Sequence, residues 1–470
     1  MGVRGKPGLF LVLGLSIAVA TGGTFERAVE AAPRYEITHK RKLAEGLRVT
    51  WIRDNRGPNR IKVLTLDPTS PLTLDVELSN NRLPGRETTS SMSRRRGAIA
   101  ATNGTFGLPY GRPVGLFLED SYLKASPLLW GNGFALTENE QSAFVGHPDV
   151  RVTMTGTADG KESVIWAWNE PGIPPAPLLG YTKAGGRRER PPENACSARL
   201  IEESAGMWTE GNNGVGREYR VAKVRCADKR MRRYGGVVVS APYGSKHLDR
   251  IKRLEEGQLL HLSWSVGWPG VLDAIAGNPV LVEDGRNVAY DCASYFCKAN
   301  PRTGIGVKGS GRVLIVTVDG RQAQSVGMSL LQFARLFRHL GATDALNLDG
   351  GGSTTMVVND SVINKPSDPA GERDVSSSLL VLPGTDPGEP TIFPHVPAGN
   401  GETLNTLEGN GEGFESIVAE GSRNDPAVRD PGSTGGMLDA LMKRNRDSSQ
   451  VNLPRSLLKI AEEYRSTSRR

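Results

Sequence analysis

Long apolar runs are nearly absent from this 470-residue chain. The single clear one, Leu9 to Ala20, is shorter than the ~20 apolar residues that span a bilayer, and no later segment reaches that length. Aromatic residues make up only 6% and hydrophobic residues 38%, below the usual globular share, so part of the chain is expected not to fold. There is no G-x-x-x-x-G-K-[ST] loop and no repeat of solenoid period, which removes P-loop phosphate binding and stacked-repeat architectures. Histidine is scarce, with six in all, and none lies near the four cysteines, whose spacings are also wrong for zinc.

What is present begins with an address. Arg4 and Lys6 precede the apolar run, and small residues follow at Ala18, Ala20, Ala28, Ala31 and Ala32. That order reads as an export signal over residues 1–32, with a retained anchor the less favoured reading. The expected location is therefore secreted or extracytoplasmic. Cys196, Cys226, Cys292 and Cys297 fit an oxidising compartment, where paired thiols persist. Three connectivities are allowed. The favoured one joins Cys196 to Cys226 and Cys292 to Cys297, because the second pair closes the short loop DCASYFCK between two strand-like runs. The net charge of +7 is spread over scattered basic clusters such as Arg94–Arg96, Arg187–Arg190 and Lys229–Arg233. They read as a solvated surface or as attraction to an anionic envelope polymer, not as a nucleic-acid interface.

From about Gly384 onward the texture becomes rich in Gly, Pro, Asp, Glu, Ser and Asn, which cannot bury enough apolar surface to offset ordering entropy. Residues 385–470 are expected to be a disordered, low-complexity tail. Residues 33–384 carry the folded domain, with strands dominant. In HLSWSV, Leu260, Leu262, Trp264 and Val266 share one face and His261 takes the other, as a surface histidine. One helix is well signalled: Ser329 caps SLLQFARLFRHLG, Gln332 completes a capping box, Leu330, Phe333, Ala334 and Phe337 form an apolar stripe, and Gly341 stops it. The fold class expected is α+β, a large twisted mixed sheet with a few packed helices.

Three apolar runs end alike, in a carboxylate or amide followed by glycine: AIAATNG at Asn103, VLIVTVDG at Asp319 and ALNLDGGG at Asp349. Such dipeptides are common hairpin turns, and EDGR at Glu283–Arg286 is read as one. Asp349 differs, because three glycines exceed what a tight turn requires and permit close approach to the backbone. Alternation puts Asn347 on the same face as Asp349. In NPRTGIGV, Arg302 precedes a Gly-Ile-Gly strand whose glycines leave space above the sheet; its guanidinium could hold a phosphate or carboxylate by a bidentate contact, or pair with a structural carboxylate.

The ordered series ATNGTFG, GNPVLVEDG, NPRTGIGV, TVDGR, GMSLLQFARLFRHLGATDALNLDGGGSTTM, INKPSD and ERDVSSSLLVL resembles the phosphodiester glycosidase domain family, across most of 34–383 and most strongly from Arg302 onward. The resemblance implies a hydrolase cleaving the sugar–phosphate bond of a glycosyl phosphodiester in an envelope or extracellular glycan. It implies one pocket lined by Asn103, Gly104, Phe106, Arg302, Thr303, Asp319, Gly320, Asn347, Asp349, Gly350, Gly351, Gly352, Ser353, Asp368 and Arg373. Asp349 is assigned to the anomeric carbon and Asp319 to water activation or orientation of the first carboxylate. Arg302 and the amides of Gly350–Ser353 are assigned to the phosphate, and Asn103 and Asn347 to sugar hydroxyls or phosphate. Thr105 stands where many bacterial relatives have an acidic residue. No cofactor is required; a divalent cation such as calcium is compatible with the sequence. The alternatives are a glycosidase acting on an ordinary glycan bond, a non-catalytic carbohydrate-binding protein of the envelope, and, less favoured, a nucleotide-binding protein.

Overall fold

The computed structural model describes residues 34–126, 131–137, 143–156, 159–170, 178–186, 189–203, 207–210, 214–268, 270–384 and 392–393. The expected export signal lies outside these residues. So does the expected tail, apart from Ile392–Phe393, which pairs in parallel with Met207–Glu210.

The fold agrees with the α+β expectation in its dominant strands and few helices, and is largely β. The α-helices among the described residues are Thr89–Arg96, Leu248–Lys252 and Leu330–His339, whereas strands build sheets of eight, five, nine and five members and a two-stranded ribbon. The single large mixed sheet is thus replaced by several. Hydrophobic alternation tells each strand to bury a face but does not say against which sheet, so the number of layers is settled only by long-range packing.

Two sheets position the site. The eight-stranded sheet runs in the order Tyr35–Ala44, Leu47–Asp54, Asn59–Leu66, Val313–Val318, Arg302–Lys308, Ala342–Asn347, Val280–Glu283, Arg286–Asn287, with every neighbour antiparallel. The run VLIVTV sits at its centre and is buried on both faces, which is why it is continuously apolar. Leu314, Val316 and Val318 join one core with helix Leu330–His339; Val313 and Ile315 join another with strands of the second sheet. That second sheet has the order Ser361–Val362, Met356–Val358, Ala100–Asn103, Ser377–Pro383, Leu72–Leu78.

The helix forms as its cap predicts. Ser329 Oγ accepts from the Gln332 amide, the Gln332 side chain accepts from the Ser329 amide, and Gly341 follows at φ +87°. Its stripe explains the Gly-Ile-Gly strand. A Cβ on Gly304 would lie 2.8 Å from Phe333 Cε1 and one on Gly306 would lie 2.9 Å from Phe337 Cδ1. The space above these glycines is filled by the helix and is not left for a ligand.

Local readings hold elsewhere. Val280–Glu283 and Arg286–Asn287 pair around Asp284 and Gly285, both at positive φ. Leu260, Leu262, Trp264 and Val266 are buried, whereas His261, expected at the surface, keeps only 15% of its side chain exposed and lies 3.7 Å from Glu218. Both expected disulfides form: Cys196–Cys226 bridges directly opposed strand residues, and Cys292–Cys297 closes its five-residue step. The latter loop packs on the eight-stranded sheet through Phe296.

Candidate active site

Two strand ends of the eight-stranded sheet meet one from the second sheet. Arg302 opposes Val318 and Gly304 opposes Asn347, so Asp319 and Asp349 leave the sheet at the same end, on either side of the strand that begins with Arg302. Asn103 arrives there from the second sheet and acts as a hub. Its Nδ2 donates to the Asp349 carbonyl at 2.6 Å, while its Oδ1 accepts from the Thr303 hydroxyl at 2.8 Å and the Thr355 amide at 3.1 Å. The Asp349 amide donates in return to the Gly104 carbonyl. A side chain expected to face sugar instead fixes the backbone that carries Asp349. Gly104 is glycine because a Cβ there would lie 2.7 Å from Ser377 Oγ. Phe106 is fully buried and packs near Phe296, in the core and not in the pocket.

Asp349 is 7% exposed, and its Oδ1 accepts from the Gly350 amide at 3.0 Å. The glycine run then turns through a short 3-10 segment, Gly351–Ser353, with Gly351 at φ +63°. Its donors are largely engaged within the protein. Gly350 N–H serves Asp349, Gly351 N–H goes to the Pro301 carbonyl at 3.0 Å, and Ser353 N–H goes to the Gly350 carbonyl at 3.2 Å. The expected row of amides facing a phosphate is therefore not formed by these three groups. What the glycines permit is closeness: a Cβ on Gly352 would collide with Arg373 Nη2 and Asp368 Oδ1. Arg373 and Asp368 pair in fork geometry, with contacts of 2.7 and 3.0 Å, and both side chains remain partly exposed.

Arg302 is placed differently from the expected clamp. Its guanidinium is fully buried and donates to the carbonyls of Met328 (2.9 Å), Phe296 (2.6 Å) and Lys298 (2.7 Å), tying the disulfide loop and the residue before the helix cap to the strand start. The guanidinium that stays partly exposed beside the glycine turn is that of Arg373, in its pair with Asp368. Asp319 is also committed: Oδ2 is ion-paired with buried Lys62, and Oδ1 accepts from the Lys365 amide at 3.1 Å. Gly320 packs against Pro301, where a Cβ would lie 2.5 Å from its nitrogen. Thr105 turns its hydroxyl to the Val114 carbonyl at 3.3 Å.

Sequence reasoning missed three contributors. Lys62 was signalled only as a lone lysine in the apolar run RIKVLTL. Asn364 staples the chain after the glycine turn, donating to the Thr354 carbonyl and accepting from the Met356 amide. Asn278 accepts, through its carbonyl, a 2.7 Å bond from Asn347 Nδ2.

Several buried polar atoms without a hydrogen-bond partner among the described residues belong to the segments that meet at Asp349: Asn347 Oδ1, Thr354 Oγ1, Thr355 Oγ1, Ser367 Oγ and Ser376 Oγ. Leaving such bonds unmade costs ~1–3 kcal/mol each. Elsewhere the scattered basic clusters partly converge. Arg190 and Arg230–Arg233 line one cleft of about 460 Å³ with Lys183 and exposed Tyr234.

Residues 217–382 match the phosphodiester glycosidase family model, which takes in the motif series from GNPVLVEDG onward, whereas ATNGTFG lies outside the match. A segment of 67 residues, 14% of this chain, is 37% identical to the mouse N-acetylglucosamine-1-phosphodiester alpha-N-acetylglucosaminidase and covers 13% of that protein. A 94-residue segment, 20% of this chain, is 36% identical to the SPbeta prophage-derived uncharacterized protein YomE of Bacillus subtilis and covers 14% of it. The chain thus spans about one seventh of the length of these relatives. The fold is shared with a hypothetical protein from Synechocystis, at TM-score 0.57 and 19% identity over 75% of this chain and 64% of that one. It is also shared with a Burkholderia pseudomallei protein described as exported, at TM-score 0.51 and 23% identity over 71% and 74%.

Proposed function

We propose, from the match to the phosphodiester glycosidase family, that this chain hydrolyses the sugar–phosphate bond of a glycosyl phosphodiester outside the cytoplasm. The observation that carries the reading is the meeting of the motif strand ends at Asp349, beside a partly exposed Arg373–Asp368 fork packed against Gly352. A carboxylate suits the anomeric carbon of a sugar, and a cation suits the phosphate attached to it. Two disulfides and the basic-then-apolar N-terminus support export.

In this reading the bond between the anomeric carbon and the phosphate oxygen breaks, and its electron pair leaves with a phosphate monoester. That leaving group is a weak base, so strong general-acid help is less necessary than for sugar ethers. Asp349 faces the anomeric carbon, as nucleophile or as stabiliser of the oxocarbenium-like sugar. Water supplies the oxygen that replaces phosphate, and its proton ends on phosphate or solvent. Arg373 takes the phosphate role expected of Arg302. Asn103, Thr303 and Asn364 hold the Asp349 segment. Asp319 acts through position, anchoring Lys62 and the Lys365 backbone.

The test is a panel of defined glycosyl phosphodiesters beside matched aryl glycosides with poor leaving groups. Free sugar is expected from the former alone. Release from both classes at similar rates would assign an ordinary glycosidase, and release from neither would leave a binding protein. A second expectation follows from Gly352. Replacing it by alanine should push the Arg373–Asp368 fork aside and raise KM about tenfold or more, with the thermal midpoint nearly unchanged, because the clash falls on the ends of flexible side chains. An unaltered KM would remove the fork from substrate binding.

A further inference from the structure

Away from Asp349, three carboxylates converge from distant parts of the chain. Asp75 lies on strand Leu72–Leu78, Asp273 on Val271–Ala276, and Asp120 in the turn between Phe117–Glu119 and Tyr122–Ala125. One oxygen from each lies within 4.8 Å of the others, and Asp75 and Asp273 are buried at 1% and 2% exposure. Asp273 Oδ1 accepts from the Asp120 amide at 2.9 Å, which fixes the turn beside it. Acidic neighbours alone would signify little. Here Asp75 supplies an independent observation: Oδ2 pairs with Arg96 at 2.6 Å, but Oδ1 is buried and has no hydrogen-bond partner among the described residues.

The local charge does not balance. Glu77 and Glu119 bring the carboxylates to five, against Arg95, Arg96 and Lys124. Arg95 is shared with a further acid, Glu87.

We propose that Asp75, Asp120 and Asp273 form a binding site for a divalent cation of the calcium type, which joins the sheet carrying Asn103 to the sheet carrying Val271–Ala276. An all-oxygen donor set selects a hard cation. Calcium binds oxygen at ~2.3–2.6 Å and so tolerates ligands up to ~4.6–5.2 Å apart across the ion, whereas magnesium needs them within ~4.2 Å. The oxygens lie within 4.8 Å of one another, inside the span that the flexible coordination of calcium allows. The remaining coordination positions are left to water, which calcium accepts readily.

The test uses the intact protein and does not depend on what the Asp349 site hydrolyses. After chelation and desalting, calcium chloride alone at about 1 mM should raise the thermal midpoint by about 3 °C or more, and calorimetry should give one calcium per chain. Magnesium should do so more weakly. Asp273→Asn should abolish the shift. Because a buried variant can fold poorly, the exposed Asp120→Asn, which is expected to fold normally, should cut calcium affinity about tenfold or more. The absence of any calcium-dependent shift overturns the proposal, as does an undiminished calcium affinity in Asp120→Asn.

Discussion

Asp349→Asn should reduce turnover of a glycosyl phosphodiester by about three orders of magnitude or more, with little change in KM or in thermal midpoint. The fold should survive because an amide oxygen can still accept the Gly350 N–H that Oδ1 accepts now. The main-chain bonds to Asn103 and Gly104 do not involve the carboxylate at all. What the substitution removes is the negative charge opposite a developing oxocarbenium ion and the oxygen able to bond to it. Initial rates on the best phosphodiester of the panel, read beside a thermal melt, separate the two effects. Near-normal activity in a folded variant would take Asp349 out of the mechanism.

Lys62→Met should lower stability by about 3–5 kcal/mol, read as a drop in the urea midpoint, because it strands the buried Asp319 carboxylate without its counterion. The Lys365 amide alone does not replace a full charge. The double variant Lys62→Met with Asp319→Leu should recover much of the loss, since removing both charges also removes the desolvation each one suffers. If the single variant is as stable as the parent, the pair does not carry the strand end. If the double variant keeps its stability but loses activity, Asp319 matters through the placement of the Lys365 segment and of Asp349 beyond it.

Both expectations show how differently two acidic residues with the same local signature behave. Asp319 and Asp349 each end an apolar strand and precede glycine, and the clearest local difference between them is the length of the glycine run. Their partners tell them apart. Lys62 is 257 residues from Asp319, and Asn103 is 246 residues from Asp349. Arg302 makes the same point. Next to two glycines it reads as a guanidinium facing a ligand above an open sheet, yet helix Leu330–His339 fills that space and three carbonyls absorb its donors.

The sequence by itself determined whatever depends on neighbours along the chain. The capping box at Ser329, the stop at Gly341, the Asp284–Gly285 hairpin, the alternation of HLSWSV and the short disulfide loop all rest on hydrogen bonds, φ preferences or periodicities spanning at most a few turns. It also brought the phosphodiester glycosidase motifs into view in order. Only the tertiary structure decided how many sheets the strands form, which amide holds Asp349, which arginine stays at the surface, and which acids lie buried together. Each of those outcomes turns on desolvation and pairing between segments distant in the chain. A buried polar group takes whichever partner the packed sheets bring to it, and local pattern carries no record of that partner.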